Sequence, residues 1–275
     1  MKEDNIGISM EKINAIKAIV DSSIQSFIDG FEWRYTNDKG NPNGVINMKK
    51  NNCFIAELGE EFMFYSAFVR SFDSSFGKVL ENMGNNIAKL TYEVRGNINS
   101  YLLPQQSQHM DYLMAEYEKH EKPSVEDYNK FICVIPRNIE SYRKTHITDN
   151  YFYDPLKKKH YLLELKAGGD LDNKKSKAEK ISLLQQYFLL KNSLLETDET
   201  VEIFFATAYN KFGEGNEWKQ ERVQQFFAKE ELLIGKEYWN FCCDSEHGFD
   251  IVFEQYKKSA YKLREAFDRI KKIYF

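Results

Sequence analysis

The sequence lacks the signatures of secreted, membrane-spanning and nucleotide-hydrolysing proteins. Its four cysteines include no CxxC pair, and Cys242 and Cys243 are adjacent, so free thiols in a reducing cytoplasm are expected. The N-terminus has no apolar signal core, and no apolar run approaches the roughly 18 residues of a membrane-spanning helix. The histidines show no zinc-site spacing, and no phosphate-binding loop, GxGxxG or GxSxG motif is present. We therefore expect a cytoplasmic protein with no membrane partner.

What the sequence does contain indicates a globular chain. Of its 275 residues, 42% are hydrophobic and 15% are aromatic, which is enough to fill a core and argues against disorder. No internal repeat and no linker rich in Ser, Gly or Pro divides the chain, so we predict one domain over residues 1–275. The formal net charge of −4 gives no global sign of a nucleic-acid partner. A basic groove can nevertheless be local.

Hydrophobic periodicity predicts mainly helices in the first half of the chain and strands mixed with helices in the second. Helices are expected over 9–30, 52–90 with a break near 72–75, 105–121, 124–132, 175–192, 217–229 and 250–273, with a helical turn over 238–241. Extended segments are expected over 91–104, 131–135, 201–209 and 232–234. This order favours an α/β fold with a largely helical N-terminal region of about 1–145 and a core of about 146–241.

The segment His146–Lys166 is predicted to form two antiparallel strands joined by a polar turn. A turn centred just after Leu156 pairs Asp149 with Glu164. It leaves Asp154 about 16 Å from Glu164, at 3.3 Å per residue. The same register predicts the pairs Asp154–Lys159 and Phe152–Tyr161. One end of the hairpin therefore gathers two carboxylates from different strands.

Asp149, Glu164 and Lys166 are the residue types that metal-dependent phosphodiester hydrolysis requires. The two carboxylates and the Leu165 carbonyl offer hard oxygen ligands to Mg²⁺, which polarises a phosphodiester and helps generate hydroxide. The Lys166 ammonium can orient or deprotonate the attacking water and stabilise charge in the transition state. Alternation along a strand points Glu164 and Lys166 the same way. The alternative for a lone Glu-x-Lys is a solvent-exposed charge pair, which the register-matched aspartate and the following Gly-Gly turn disfavour.

This hairpin resembles the PD-(D/E)XK nuclease superfamily. The stretch LLELKAGGDLDNKK (162–175) is most similar to TdeIII-like type II restriction endonucleases, whose sites are of the GGNCC type. Further similar patches lie at 75–81, 204–218 and 232–241. The resemblance implies a homodimeric, Mg²⁺-dependent enzyme, with Mn²⁺ able to substitute, that cuts double-stranded DNA. Asp149, Glu164 and Lys166 are then its catalytic set, and a cognate DNA methyltransferase is its expected genetic partner rather than a subunit.

Two acidic residues remain open as additions or alternatives to that set. No proline precedes Asp149, whereas Asp154 precedes Pro155, so Asp154 is an alternative acid that the register disfavours. Glu81 is a further candidate metal ligand, because members of such families often carry a carboxylate on an N-terminal helix. The alternative for Glu81 is an exposed helix charge.

Basic and amide side chains beyond the second strand are candidates for DNA contacts. Those that could bind phosphates, or simply form a solvated helix face, are Lys174, Lys175, Lys177 and Lys180. Asn210 and Lys211 follow the predicted strand 201–209 and can hydrogen-bond adenine and guanine edges. Both could equally be ordinary loop residues.

The sequence thus predicts a restriction-endonuclease-like core, with a mixed β-sheet flanked by helices, and the function of a type II restriction endonuclease. A two-fold dimer matches a palindromic site, and each subunit cuts one strand to leave a 5′-phosphate. Two alternatives stay open. One is a structure-specific repair or recombination nuclease of the same fold, and the other is a DNA-binding relative without catalysis.

Overall fold

The computed structural model describes residues 8–134 and 138–275, and for Asp149 the backbone alone. The chain forms two compact units. The first comprises Met1–Asn86 with Asp250–Phe275, and the second comprises Ile87–Phe249. The predicted single domain over 1–275 stays a prediction. Among the residues so described, no helix is long and apolar enough to cross a membrane.

Helices build the first unit. They are α1 (Met10–Asp38), α2 (Cys53–Ala56), most of α3 (Glu60–Ala88) and most of α9 (Gly248–Tyr274). Ser9 caps α1 as the sequence predicts, because its side chain accepts a hydrogen bond from the Lys12 backbone N–H at 3.2 Å.

The predicted break near 72–75 is wrong, because α3 continues through it. Phe72 and Phe76 stack one turn apart with ring centroids 5.1 Å apart. Both rings also contact Phe27 of α1, at 5.7 and 5.6 Å. Aromatic packing on both sides of Asp73 therefore outweighs the tendency of Asp and Ser to begin a new helix.

A five-stranded mixed sheet organises the second unit. Its strands, in spatial order, are β1 (Glu93–Tyr101), β2 (Arg143–Asp154), β3 (Lys159–Lys166), β4 (Thr200–Thr207) and β5 (Leu232–Ile234). The pairs β1–β2 and β2–β3 are antiparallel, whereas β3, β4 and β5 run parallel to one another. The predicted α/β class with a helical N-terminal part is therefore confirmed.

Helices cover both faces of this sheet. On one face α4 (Pro104–Glu118) and α6 (Asn173–Ser193) share a buried cluster with the strands, in which Leu183 and Leu184 of α6 join Leu162 of β3. On the other face lies α8 (Lys236–Cys243), whose Phe241 contacts Tyr161 at 5.0 Å between ring centroids. Because successive strand residues alternate, even-numbered β3 side chains point towards α6.

Three further predicted elements are much shorter than expected or absent among the described residues. The helix expected over 217–229 is reduced to α7 (Glu221–Gln224) and a 3₁₀ turn (Lys229–Glu231), and the backbone of Gln220 before α7 is not helical. The helix expected over 124–132 is only α5 (Glu126–Asn129). No strand forms over the described residues 131–134 of the predicted strand 131–135, and residue 135 lies outside the described residues.

The hairpin has the predicted register. Asp154 pairs with Lys159, Phe152 with Tyr161, and Asn150 with Leu163. The same register continued by one residue brings Asp149 opposite Glu164. The turn between the strands has Lys158 at a positive φ of 53°.

Candidate active site

The end of β3 presents a carboxylate and an ammonium towards α6. Glu164 and Lys166 lie two residues apart, so their side chains share the face that carries Leu162. The Lys166 Nζ donates a hydrogen bond to Glu164 Oε1 at 2.6 Å. The side chains are 16% and 31% exposed, which places the pair at the edge of the core rather than in open solvent.

A second carboxylate reaches the same ammonium from α6. Glu179 Oε1 lies 2.8 Å from Lys166 Nζ, and its side chain is 22% exposed. The sequence reasoning missed Glu179. The available signal was helical periodicity: Ser176 and Leu183, three residues before and four after Glu179, are fully buried, so Glu179 belongs to the stripe that faces the sheet.

The two carboxylates keep Lys166 charged. Burial lowers the pKa of Lys166, but the charges and hydrogen bonds of Glu164 and Glu179 outweigh burial and raise the pKa above its ordinary value. At neutral pH the side chain is therefore an ammonium. Of the two roles open to it, this favours orienting water and stabilising negative charge over accepting a proton.

Asp149 lies on β2, where the pairing with β1 is irregular. Arg95 pairs with Tyr151 and Asn97 with Ile147, so three β2 residues, 148–150, face the single residue Gly96. Such a bulge bends a strand and redirects its side chains. The Asp149 side chain lies outside the described part of the chain, so its place in the site stays a prediction.

Two buried polar side chains flank Asp149. Thr148 is 4% exposed and Asn150 is 1% exposed, and neither Thr148 Oγ1 nor Asn150 Oδ1 has a hydrogen-bond partner among the described residues. Buried polar atoms without partners are uncommon in folded proteins. These two buried oxygens therefore belong to the residues before and after Asp149 in the chain, and Asn150 shares the sheet face of Leu163 rather than that of Glu164.

Asp154 serves the turn. Its Oδ1 accepts hydrogen bonds from the Leu156 and Lys157 backbone N–H groups, both at 3.0 Å, and its Oδ2 lies 3.1 Å from Lys157 Nζ. Burial raises the pKa of Asp154, but these bonds outweigh it and lower the pKa. Because Asp154 pairs with Lys159, it lies five residues from Glu164 in register. This geometry disfavours Asp154 as the catalytic acid.

Part of a set of oxygen ligands for a metal ion is present at the end of β3. Glu164 and Glu179 converge on one point, and the Leu165 carbonyl lies between Glu164 and Lys166 in the chain. Over residues 8–134 and 138–275, without the Asp149 side chain, no group of three His, Cys, Asp or Glu residues forms a metal site. Glu81 lies on α3 in the first unit, and its part in such a site stays a prediction.

The lysines of α6 differ in availability. Lys177 pairs with Glu118 at 2.8 Å and Lys175 lies 3.9 Å from Asp172, whereas Lys174 is exposed beside a shallow pocket and has no ion-pair partner in the described chain. Lys180 is fully buried, so the prediction that it contacts a phosphate is wrong. These positions leave Lys174 as the most accessible of the predicted phosphate contacts.

The two residues predicted to read bases lie in an ordered loop after β4. Asn210 Nδ2 donates to the Asn216 carbonyl at 2.8 Å, and Asn210 Oδ1 accepts from the Phe212 N–H at 3.0 Å. Lys211 Nζ pairs with Asp170 Oδ1 at 2.9 Å. Both polar atoms of the Asn210 side chain thus bond within its own loop, which disfavours Asn210 as a base reader. Lys211 pairs with the exposed Asp170 and could exchange that partner for DNA.

The exit from β3 requires glycine. Gly169 has φ +67°, and a Cβ there would lie 2.6 Å from Thr207 Cγ2. At Gly168 a Cβ would lie 2.5 Å from Tyr209 Oη. The Gly-Gly turn therefore lets the loops after β3 and β4 approach each other closely, next to Lys166.

Comparison with known proteins adds one match. Residues 12–260 match the family model described as "Type II restriction endonuclease, HinfI". The matched range contains the whole sheet and both residues of the Glu-x-Lys pair. No curated protein matches the chain, and no solved structure matches it.

Proposed function

Because the chain belongs to the HinfI family of type II restriction endonucleases, we propose that it cuts double-stranded DNA at a specific palindromic sequence, with Asp149, Glu164 and Lys166 as the catalytic set. The observation that carries this assignment is the Lys166 ammonium, held 2.6 Å from Glu164 at the end of β3. The hairpin register supports it, since one further step brings Asp149 opposite Glu164.

Mg²⁺ is the proposed cofactor, with Mn²⁺ as a substitute. Asp149, Glu164 and the Leu165 carbonyl would hold it, with Glu81 as a further candidate, and these hard oxygen donors are the ligands that Mg²⁺ prefers. When bound, the ion supplies a polarised phosphodiester and a more acidic water.

The protein's own groups then act on the attacking water and the phosphate. Lys166, as an ammonium, donates hydrogen bonds to the water or to a non-bridging phosphate oxygen, where negative charge increases during in-line attack. Glu164 holds the ammonium in place while this charge develops. As the water oxygen bonds to phosphorus the bond to the 3′-oxygen breaks, the water gives up a proton to solvent and the 3′-oxygen takes one up, which leaves a 3′-hydroxyl on one fragment and a 5′-phosphate on the other.

DNA binding is proposed to involve Lys174, Lys175 and Lys177 on phosphates, and the loop of Asn210 and Lys211 near base edges. We also propose that the protein is a cytoplasmic homodimer, and that a separate cognate DNA methyltransferase is its genetic partner. A GGNCC-type site is the sequence hypothesis to test first. Mapping the fragment ends from one plasmid digest identifies the site, the cut position and the overhang together.

Digestion of plasmid DNA with Mg²⁺ tests the function, and two variants test the site. Discrete fragments from the wild-type protein are expected, and Glu164→Ala and Lys166→Ala should each abolish them. Glu202→Ala is the matched control, because Glu202 of β4 pairs with Lys159 of β3 at 2.7 Å, at the other end of β3 from the site. Cleavage by both site variants would refute the assignment.

The same digest separates the alternative functions. Cutting only at junctions or flaps would identify a structure-specific nuclease, and no cleavage with Mg²⁺ or Mn²⁺ would favour a DNA-binding protein without catalysis.

A further inference from the structure

Lys166 is held by more than its own strand. A lysine side chain is long and flexible, and one contact with Glu164, two residues away, leaves much of that freedom. The 2.8 Å contact with Glu179 adds a second acceptor from a separate element. Both acceptors bind the same nitrogen, so together they define where the ammonium lies.

Glu179 is itself fixed by its neighbour in sequence. Lys180 is fully buried, and its ammonium pairs with Glu231, which is 1% exposed. Glu231 also accepts hydrogen bonds from Tyr128 Oη at 2.8 Å and from the Ala228 N–H at 2.7 Å. The Lys180 Nζ lies 5.0 Å from the ring centroids of Tyr128 and Phe227.

This buried pair, together with the buried leucines of α6, fixes the rotation of the helix about its own axis. Consecutive helical residues are about 100° apart, since a turn contains 3.6 residues. With Lys180 locked into the core, Glu179 has a fixed direction, and that direction leads to Lys166. The helix therefore fixes the backbone from which the Glu179 carboxylate reaches Lys166.

We propose that Glu179 is a positioning residue, whose hydrogen bond from α6 holds the Lys166 ammonium in its place beside Glu164. The inference rests on the proposed function, because it takes Lys166 to be catalytic. Functional groups must be held to within about 0.5 Å of their productive positions by neighbours that are themselves fixed. Glu179 provides such a neighbour for Lys166.

The Lys159–Glu202 pair gives the matched comparison. It also joins a β3 lysine to a glutamate, at 2.7 Å, but its side chains are 39% and 40% exposed, and neither residue contacts Lys166. An exposed pair of this kind contributes little. Replacing Glu202 therefore controls for the loss of one glutamate from the sheet.

The first test is NMR of the lysine ¹⁵Nζ groups in the full chain, without metal or DNA. The Lys166 signal is assigned from its disappearance in Lys166→Arg. Glu179→Ala should increase the mobility of the Lys166 ammonium and its hydrogen exchange with water. Glu179→Gln, which keeps an acceptor oxygen, should restore most of the order, and Glu202→Ala should alter Lys159 alone. An unchanged Lys166 signal in Glu179→Ala would overturn the proposal.

The second test uses cleavage and Mn²⁺ binding. Glu179→Ala should lower kcat about 100-fold, which is typical of a misplaced catalytic group, with KM for DNA unchanged. Glu179→Gln should recover most of the rate. Mn²⁺ affinity measured by electron paramagnetic resonance should equal that of Glu202→Ala, and its loss in Glu179→Ala would overturn a positioning role. Absence of cleavage by the wild-type protein would refute the proposed function, yet the NMR experiment would still decide whether Glu179 orders Lys166.

Discussion

Replacing Lys180 with methionine should strongly destabilise the second unit. The Lys180–Glu231 pair is buried to 0% and 1% exposure, and removing one partner of such a pair typically costs about 3–5 kcal/mol, because it leaves an uncompensated charge. Glu231 keeps its hydrogen bonds from Tyr128 and Ala228. We therefore expect Lys180→Met to lower the free energy of unfolding by about 3 kcal/mol, the lower end of that range.

Equilibrium unfolding in urea, followed by tryptophan fluorescence, measures this loss. Trp218 and Trp239 are both buried in the second unit and report on it. The double variant Lys180→Met/Glu231→Gln should lose less than the sum of the two single variants, because no unpaired buried charge remains. Lys158→Met is the control, since Lys158 pairs with Asp198 on the surface and should change stability little. A loss below about 1 kcal/mol in Lys180→Met would refute the view that this pair anchors α6.

Three further outcomes are expected. Gly169→Ala should destabilise the protein by about 1–2 kcal/mol in urea unfolding, because of the positive φ of 67°, whereas Gly96→Ala, with no atom within 4 Å of the added Cβ, should not. The pKa of Asp154 is lower in the folded protein than its ordinary value near 3.8. The stability that Asp154 contributes is therefore fully present above that unfolded pKa and is lost as the pH falls through the folded pKa. In Asp154→Asn, the urea midpoint should depend less on pH in that acidic range. Lys174→Ala should weaken DNA binding equally on all sequences and reduce the slope of log K against log salt by about 1, whereas an unchanged slope would exclude a phosphate contact.

The hairpin was predictable because its signals are local. The Asp154-Pro155 turn and the alternation of the flanking strands fix the register, and the pairs Phe152–Tyr161 and Asp154–Lys159 follow from them. The same arithmetic places Glu164 and Lys166 on one face. Chemistry that depends on two residues of one strand can therefore be inferred from the sequence.

Helical periodicity places Glu179 on the face of α6 that meets the sheet, but its contact with Lys166 was not predictable in the same way, because that contact also depends on distant residues. The partner of Lys180 lies 51 residues further along the chain, and no local pattern announces that contact. Asn210 illustrates the opposite case, since its side chain bonds with residues only two and six positions away. From its residue type, Asn210 was predicted to read bases. Its contacts are instead those of an Asn in a turn, where the side chain bonds to nearby backbone groups.

The departure of this chain from the superfamily pattern can be understood at β2. A proline before the acid would remove a backbone N–H from the sheet at that point. Thr148 stands there instead, and the pairing with β1 is interrupted by a bulge in which residues 148–150 oppose Gly96. A bulge changes the direction of a strand without removing a donor, and it can redirect a side chain towards a site. On the other side of β2, the pairing with β3 is regular up to Asn150–Leu163, one residue before the predicted pair Asp149–Glu164. The irregular pairing with β1 therefore begins at the position where the superfamily pattern has its proline, while the pairing of the following residues with β3 stays regular.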